Sequence, residues 1–351
     1  MARRRRPFPV LRALFFVVSG ATAAGASCRG GCVRGHDRTA TVEGRLALFP
    51  AAAQVVISFD FAKLRESPAA AKLAALAEQS QSDQREIETF AHRTGFDPVH
   101  DVDTLLVAFP DDARRTGALG LVMRGNHLDE TRLVAYARDE LRKGGDDLVG
   151  TAHGSHTLWS SRRDPDIAGF FLDARTFVLG AGGWAPRMAD LANAATARAS
   201  DSAATNLDLV RMAEQAAGAH AIWGAAIVPE ETRRKLRQEP RFANAAAVQT
   251  LALGLDVGRG LEAVLLAEVE TAPDAQGLAR KVQETLRDAK KNAQVLMLGL
   301  GPYLDGVTAR AINHTFELRA SLTEPQLDDL IARLGAFVNL ARQGRAPGFG
   351  R

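Results

Sequence analysis

Apolar and polar residues alternate along several stretches of the chain. In LEAVLLAEV, every second residue from Leu261 to Val269 is apolar. VQTLALGLDV and HTFELRASL show the same alternation, with Leu251 and Phe316 on their apolar sides. Successive side chains of a strand point to opposite faces of a sheet, so each stretch predicts a strand with one buried face. The segment GRG, between VQTLALGLDV and LEAVLLAEV, predicts a tight hairpin turn.

Stretches with helical spacing of apolar residues follow these strands. DETRLVAYARDELRKG begins with Asp129 as a predicted N-cap and ends at Gly144. TAPDAQGLARKVQETLRDAKKNA predicts a second helix, and TEPQLDDLIARLGAFVNL predicts a third with Thr323 as its N-cap. The chain therefore contains a repeated unit in which a hairpin precedes a helix.

Four such units are predicted, at residues 104–143, 156–198, 247–300 and 307–341. They indicate an α+β fold of repeated β-hairpin–helix units, which form an antiparallel sheet with helices packed on one face. We expect two similar halves, an N-terminal α+β half at 54–199 and a C-terminal α+β half at 200–345. A helical stretch near 200–240 is predicted to separate them.

The first residues have the layout of a secretory signal peptide. Four arginines precede an apolar run, and small residues then lead to Cys28. Gly25, Ala26 and Ser27 before Cys28 resemble a bacterial lipobox, although Gly25 stands where an aliphatic residue is usual. We therefore predict a signal peptide at 1–27 and lipidation of Cys28, with ordinary signal-peptidase cleavage as the alternative. Residues 28–53 show no steady apolar period and are predicted to be a flexible tether.

The spacing of Cys28 and Cys32 argues against a redox pair or a metal site. It is C-x₃-C rather than C-x₂-C, and the sequence contains no further cysteine to complete a metal tetrahedron. An anchoring Cys28 with an incidental second thiol is the better interpretation.

Charge and composition exclude some classes of partner. The chain carries a formal net charge of +3, but five arginines and no acidic residue precede Cys28, so removal of residues 1–27 leaves −2. A slightly acidic mature chain has no basic surface for phosphates, and we expect no nucleic-acid partner. Aromatic residues make up only 6% of the chain, which argues against a surface for stacking bases or sugars.

Two histidine-containing segments are candidates for metal binding. FDPVHDVD gathers Asp97, His100, Asp101 and Asp103, but it lacks the regular oxygen ligands and the glycine of a calcium loop, and a turn before the next strand is the better interpretation. TAHGSH places two histidines three residues apart without a third ligand at a known spacing. We expect no metal site in either segment.

Catalytic and phosphate-binding motifs are also missing from the sequence. LGAGGW follows a strand but has neither the spacing of a dinucleotide-binding loop nor the Gly-Lys of a P-loop, so it predicts a strand-to-helix turn. There is no G-x-S-x-G nucleophile motif. The apolar run VLMLGLGPYL is expected to be core rather than a surface patch. We assign no catalytic, cofactor-binding or metal-binding residue, and we expect neither a cofactor nor enzymatic activity.

The segment TGFDPVHDVDTLLVAFP resembles uncharacterised bacterial lipoproteins with a tandem α+β domain of unknown function, a resemblance that implies no activity. We expect a membrane-anchored lipoprotein of the cell envelope with a non-catalytic binding or scaffold role. Arg29 follows Cys28 where an acidic residue would favour retention in the inner membrane, so we expect the outer membrane, facing the periplasm, with a soluble secreted or periplasmic form as the alternative. The expected partners are the membrane, through the N-terminal lipid, and an envelope protein. The alternatives are an exported hydrolase whose site forms no motif, and a carrier of an apolar ligand between sheet and helices.

Overall fold

The computed structural model describes residues 41–77, 81–194, 201–218, 220–239, 243–297 and 299–342. Residues 1–40, with the predicted signal peptide, Cys28 and Cys32, lie outside the described residues. Twelve strands occur in the described part: β1 Val55–Asp60, β2 Val102–Phe109, β3 Leu119–Gly125, β4 Leu148–His153, β5 His156–Ser161, β6 Ala168–Asp173, β7 Thr176–Ala181, β8 Ile222–Ile227, β9 Val248–Val257, β10 Leu261–Val269, β11 Val307–Ile312 and β12 Thr315–Leu322.

All twelve strands belong to one antiparallel sheet. Their order is β11-β12-β10-β9-β8-β1-β2-β3-β7-β6-β5-β4. The predicted hairpins β2–β3, β9–β10 and β11–β12 are present, and in each the two strands are direct neighbours. The predicted fold class, an α+β fold with an antiparallel sheet of hairpin–helix units, is confirmed.

The centre of the sheet joins the N-terminal and C-terminal parts of the chain. β1 pairs along its length with β8, so that Ile57 lies opposite Gly224. The predicted helical stretch near 200–240 does contain two helices, but β8 lies between them, so the prediction is wrong for residues 222–227. The reason is that β8, with the sequence IWGAAI, is a nearly continuous apolar run that alternation does not identify as a strand. The similarity of the two halves stays a prediction.

Thirteen helices occur in the described part. They are α1 Val42–Leu46, α2 Phe61–Arg65, α3 Pro68–Ala77, α4 Gln81–Thr94, α5 Ala113–Thr116, α6 Glu130–Lys143, α7 Trp184–Asn193, α8 Leu207–Ala217, α9 Glu230–Gln238, α10 Ala272–Lys291, α11 Ala293–Met297, α12 Gly301–Leu304 and α13 Glu324–Arg342.

Helices cover both faces of the sheet. Consecutive residues of β2 reach different cores: Leu105 belongs to the front face, and Leu106 to the back face. The front face carries α2, α3, α4, α6, α10 and α13, whereas α1, α7 and α8 pack on the back face. The expectation of helices on one face therefore holds for α10 and α13 but not for α7. Central strands such as β2, with the run LLVAF, are apolar on both faces and need cover on both.

The predicted tether at 28–53 is wrong for its last twelve residues. Thr41 caps α1 by accepting a hydrogen bond from the backbone N–H of Gly44. Leu46 and Phe49 are completely buried in the back-face core. The backbone carbonyl of Phe49 also accepts a hydrogen bond of 2.8 Å from Ala203. A five-residue helix is too short to show a period in the sequence, so its burial was not predicted.

Candidate functional site: an apolar cavity under helix α6

Helix α6 forms the roof of the candidate site. Its N-cap is Asp129, as predicted, and the carboxylate accepts a hydrogen bond from the backbone N–H of Arg132. Leu133, Val134 and Ala137 share one side of the helix because residues three and four apart lie on the same face. This side faces the front of the sheet, where the chain places β4, β5, β6 and β7 side by side.

Charged residues hold α4 against α6 at the solvent side of this roof. The Arg93 guanidinium of α4 pairs with Asp139 at 2.7 Å and with Glu140 at 2.9 Å. The same guanidinium lies 4.7 Å from the ring centre of Tyr136. Burial, and then the negative charge of Glu140, raise the pKa of the Tyr136 hydroxyl above its ordinary value. The phenol therefore stays neutral at physiological pH and acts as a packing group.

Between this roof and the sheet lies an apolar cavity that is partly open to solvent. Its volume is about 90 Å³, measured as the space that the centre of a water-sized sphere can occupy. All sixteen residues that line it are nonpolar: Phe90, Phe96, Pro98, Met123, Leu128, Leu133, Val134, Ala137, Leu148, Trp159, Ile167, Ala168, Gly169, Phe171, Phe177 and Leu179. A single water needs only about 10–15 Å³ by this measure, but it also needs polar partners, which this lining lacks. The cavity therefore suits a hydrocarbon group better than water.

Trp159, one of the lining residues, contacts two charged side chains of α6. Its indole N–H donates a hydrogen bond of 2.9 Å to the Glu130 carboxylate. The Arg138 guanidinium lies 5.8 Å from the centre of its ring. These contacts fix the orientation of the indole from the outside, and its apolar ring faces the cavity. The described residues that line the cavity include no Ser, Thr, Cys, His, Asp, Glu, Lys or Arg, so this lining offers binding rather than acid–base or nucleophilic chemistry.

The acidic segment before β2 is a turn, as interpreted from the sequence. The Asp97 carboxylate accepts hydrogen bonds from the backbone N–H of Val99 and contacts the His100 ring at 2.7 Å. Asp101 accepts from the backbone N–H of Asp97, also at 2.7 Å. Asp103 instead faces Arg65 and Arg175. Each carboxylate thus has a local partner that stabilises the turn or anchors a neighbouring strand.

The two histidines of TAHGSH lie opposite each other across the β4–β5 hairpin. His153 contacts Asp190 of α7 at 2.8 Å, whereas the His156 ring lies 5.0 Å from that of Phe170. Ser155 donates a hydrogen bond of 2.5 Å to the side-chain carbonyl of Asn193. These contacts dock the hairpin on α7. Within the described ranges, no group of three or more His, Cys, Asp and Glu side chains could hold a metal ion.

The glycine-rich segment LGAGGW forms the predicted strand-to-helix turn. Gly182 and Gly183 both have positive φ, of 62° and 75°, which favours glycine at these positions. The backbone N–H of Gly182 donates to Asp166 at 3.1 Å, and Trp184 is buried at the start of α7. The turn connects β7 to α7, and its Gly182 backbone N–H is hydrogen-bonded within the protein.

The apolar run VLMLGLGPYL differs from the expectation that it forms part of the core. Leu296 is 59% exposed and Met297 is 88% exposed, both in α11. No helix among residues 41–342, apart from the gaps given above, is long and apolar enough to cross a membrane.

The cavity was expected from the sequence only as one alternative, without residues. Phe171 and Phe177 are cross-strand partners on β6 and β7, and Phe90 comes from α4, so no local spacing relates them. Each of these residues follows the pattern of an ordinary core residue. The only signal in the sequence is the series of apolar positions on α6, which predicts a buried helix side but not a gap beneath it.

Comparison with known proteins gives little further information. No family model and no curated protein matches the chain. The chain is similar in structure to a solved protein titled "Structure of crystal form I of TP0453". The aligned region covers 83% of this chain and 97% of that protein's chain, with 11% sequence identity and a TM-score of 0.44. At this level the similarity supports no inference about function.

Proposed function

We propose that this chain is a non-catalytic binding protein of the cell envelope that holds an apolar ligand between helix α6 and the sheet. The cavity with its sixteen nonpolar lining residues is the observation that carries the proposal. A preformed apolar concavity is the usual form of a site for a small apolar ligand. The candidate polar clusters, by contrast, have structural partners of their own.

The envelope location rests on the sequence before the described residues. The arginines, the apolar run and the small residues before Cys28 have the layout of an exported, lipid-anchored chain. An acyl group contributes about 0.8 kcal/mol of membrane binding for each buried methylene, so several chains on Cys28 suffice for stable anchoring. An apolar ligand would be at hand in such a location, because membrane lipids are its most abundant source.

Binding is tested by filling the cavity. Ala137 lines it and is buried, whereas Ala135 on the same helix is exposed. We expect wild-type protein to bind a fluorescent fatty acid, Ala137→Phe to lose that binding at least tenfold, and Ala135→Phe to retain it. Because Ala137→Phe is able to overpack the helix, Leu133→Phe serves as a milder second variant, and urea unfolding verifies that each variant is folded. Absence of any bound apolar probe in the wild-type protein, by fluorescence and by native mass spectrometry, would refute the proposal.

Anchoring is tested separately at the two cysteines. We expect Cys28→Ser to abolish fatty-acid incorporation and to release the protein from the membrane fraction. Cys32→Ser is the matched control and should change neither. An unmodified mature terminus at Ala26, Ser27 or Arg29, found by mass spectrometry, would instead mean ordinary secretion.

A further inference from the structure

We infer that the ligand is a long linear acyl chain, which extends from the cavity along the front face of the sheet; this inference rests on the proposed function. It starts from the strand register. Consecutive cross-strand partners form one line across six neighbouring strands: Leu253, Gly224, Ile57, Val107, Leu121 and Leu179. We call these six residues the apolar row. Every one of them is nonpolar.

The apolar row is continuous with the cavity. Leu179 belongs to both, because it lines the cavity and is the register partner of Leu121. Neighbouring strands lie about 4.8 Å apart, so the five steps from Leu179 to Leu253 cover about 24 Å. The row is therefore a long nonpolar path on the front face, with the partly open cavity at one end.

The far end of the apolar row lies between two front-face helices. Leu251, two residues before Leu253 on the same face of β9, packs in the core under α10. Leu255, two residues after it, packs in the core that includes Leu327 of α13. Leu253 itself is 46% exposed, although it lies on a strand with neighbours on both sides. Leu253 therefore lies partly exposed between the parts of the front-face core that α10 and the described side chains of α13 cover.

The inner positions of the apolar row are only partly covered. Ile57, Val107 and Leu121 are half-buried, whereas Leu179 is 5% exposed. Gly224 contributes no side chain, which lowers the floor in the middle of the row. The row contains no charge or hydrogen-bonding side chain, so it offers nothing to the amides of a peptide. A linear chain of methylene groups matches this long, nonpolar and partly exposed path.

Chain length is the observable that separates this inference from simple cavity binding. Each methylene group that is fully buried raises affinity about fourfold, which corresponds to about 0.8 kcal/mol. Octanoate is short enough to be held by the cavity, whereas palmitate has further methylene groups to place on the row. In displacement of a fluorescent fatty acid from the wild-type protein, we expect palmitate to show an affinity at least tenfold higher than that of octanoate.

The row itself is tested with Val107→Thr, which keeps the shape and strand preference of the side chain but adds a hydroxyl. The matched control is Val264→Thr, the same change at a half-buried position on the back face, in β10. We expect Val107→Thr to weaken palmitate binding threefold or more and to leave octanoate unchanged, and Val264→Thr to change neither. Urea unfolding verifies that both variants are folded.

The outcomes separate the two levels of inference. If the protein binds neither acid, the proposed function fails. If it binds both equally, or if Val107→Thr weakens both acids equally, the cavity binds its ligand but the extension along the row is wrong. Native mass spectrometry after incubation with phosphatidylglycerol vesicles, or with palmitate alone, identifies whether a lipid acyl chain or a free fatty acid is the source. Binding to vesicles without uptake of either molecule would also overturn the inference.

Discussion

Replacement of Leu46 tests whether the chain is folded from α1 onwards. Leu46 is completely buried, in the core between the back face of the sheet and helices α1, α7 and α8. Leu→Ala at fully buried sites costs about 3–5 kcal/mol, from lost burial together with the cavity that remains. A domain has only about 5–15 kcal/mol of net stability, so Leu46→Ala should remove about a fifth of it or more.

The assay is urea unfolding followed by tryptophan fluorescence. Trp184 and Trp223 are both buried in the same core as Leu46, so they report on this core directly. The matched control is Leu207→Ala, because Leu207 is 74% exposed and its truncation should change the free energy of unfolding by less than about 0.5 kcal/mol. The dependence of that free energy on urea should stay the same in both variants.

Equal effects of the two substitutions would refute this reasoning. A loss below about 0.5 kcal/mol for Leu46→Ala would mean that residues 42–53 add nothing to the core and behave as the tether that the sequence predicts. A large loss in Leu207→Ala would mean that the first turn of α8 packs against something other than solvent.

Two further predictions concern an ion pair and a close backbone approach. The hydrogen bond from Arg211 lowers the pKa of the Glu268 carboxyl below its ordinary 4.5, so the ion pair stabilises the fold above pH 4.5 and this stabilisation is lost as the pH falls through the lower, folded-state pKa. Glu268→Gln should therefore lower the free energy of unfolding by about 1 kcal/mol at neutral pH, a small value because Arg211 is 43% exposed, and should not change it in strong acid. A loss of stability in urea unfolding that does not depend on pH would contradict this prediction. A Cβ at Gly180 would lie 2.3 Å from the backbone nitrogen of Ala185, so Gly180→Ala should lower the free energy of unfolding by about 1–3 kcal/mol. Gly258→Ala is the control, because a Cβ there meets no atom within 4 Å and should have little effect. Equal melting temperatures for the two variants would contradict the prediction and show that α7 moves away freely.

The sequence predicted the elements whose apolar residues repeat at a clear period. Alternation identified β9, β10 and β12, and the cap at Asp129 marked the start of α6. The sequence did not predict β8, because its residues form a nearly continuous apolar run without alternation. It did not predict α1 either, because a helix of five residues is too short to show a period. In these cases the partner surface, rather than a local preference, decides the structure.

The candidate site was less predictable than the fold. The lining residues of the cavity come from α4, α6 and several strands, and nothing in their spacing distinguishes a lining residue from a packed one. The apolar row depends on the register of six strands, which alternation alone does not determine. A shift of one residue in any of these pairings would turn that strand's member of the row to the back face.

The pairing of β1 with β8 determines when the fold can be completed during synthesis. Residues 55–60 find their second neighbour only at residues 222–227, so a ribosome must add more than 160 residues after β1 before that contact can form. Until then, the nascent N-terminal part has a bare strand edge that can pair with other chains. Contacts of such long sequence separation also slow folding. An interval of this kind would leave the chain open to a holding chaperone, and in an exported protein it would keep the polypeptide threadable until translocation is finished.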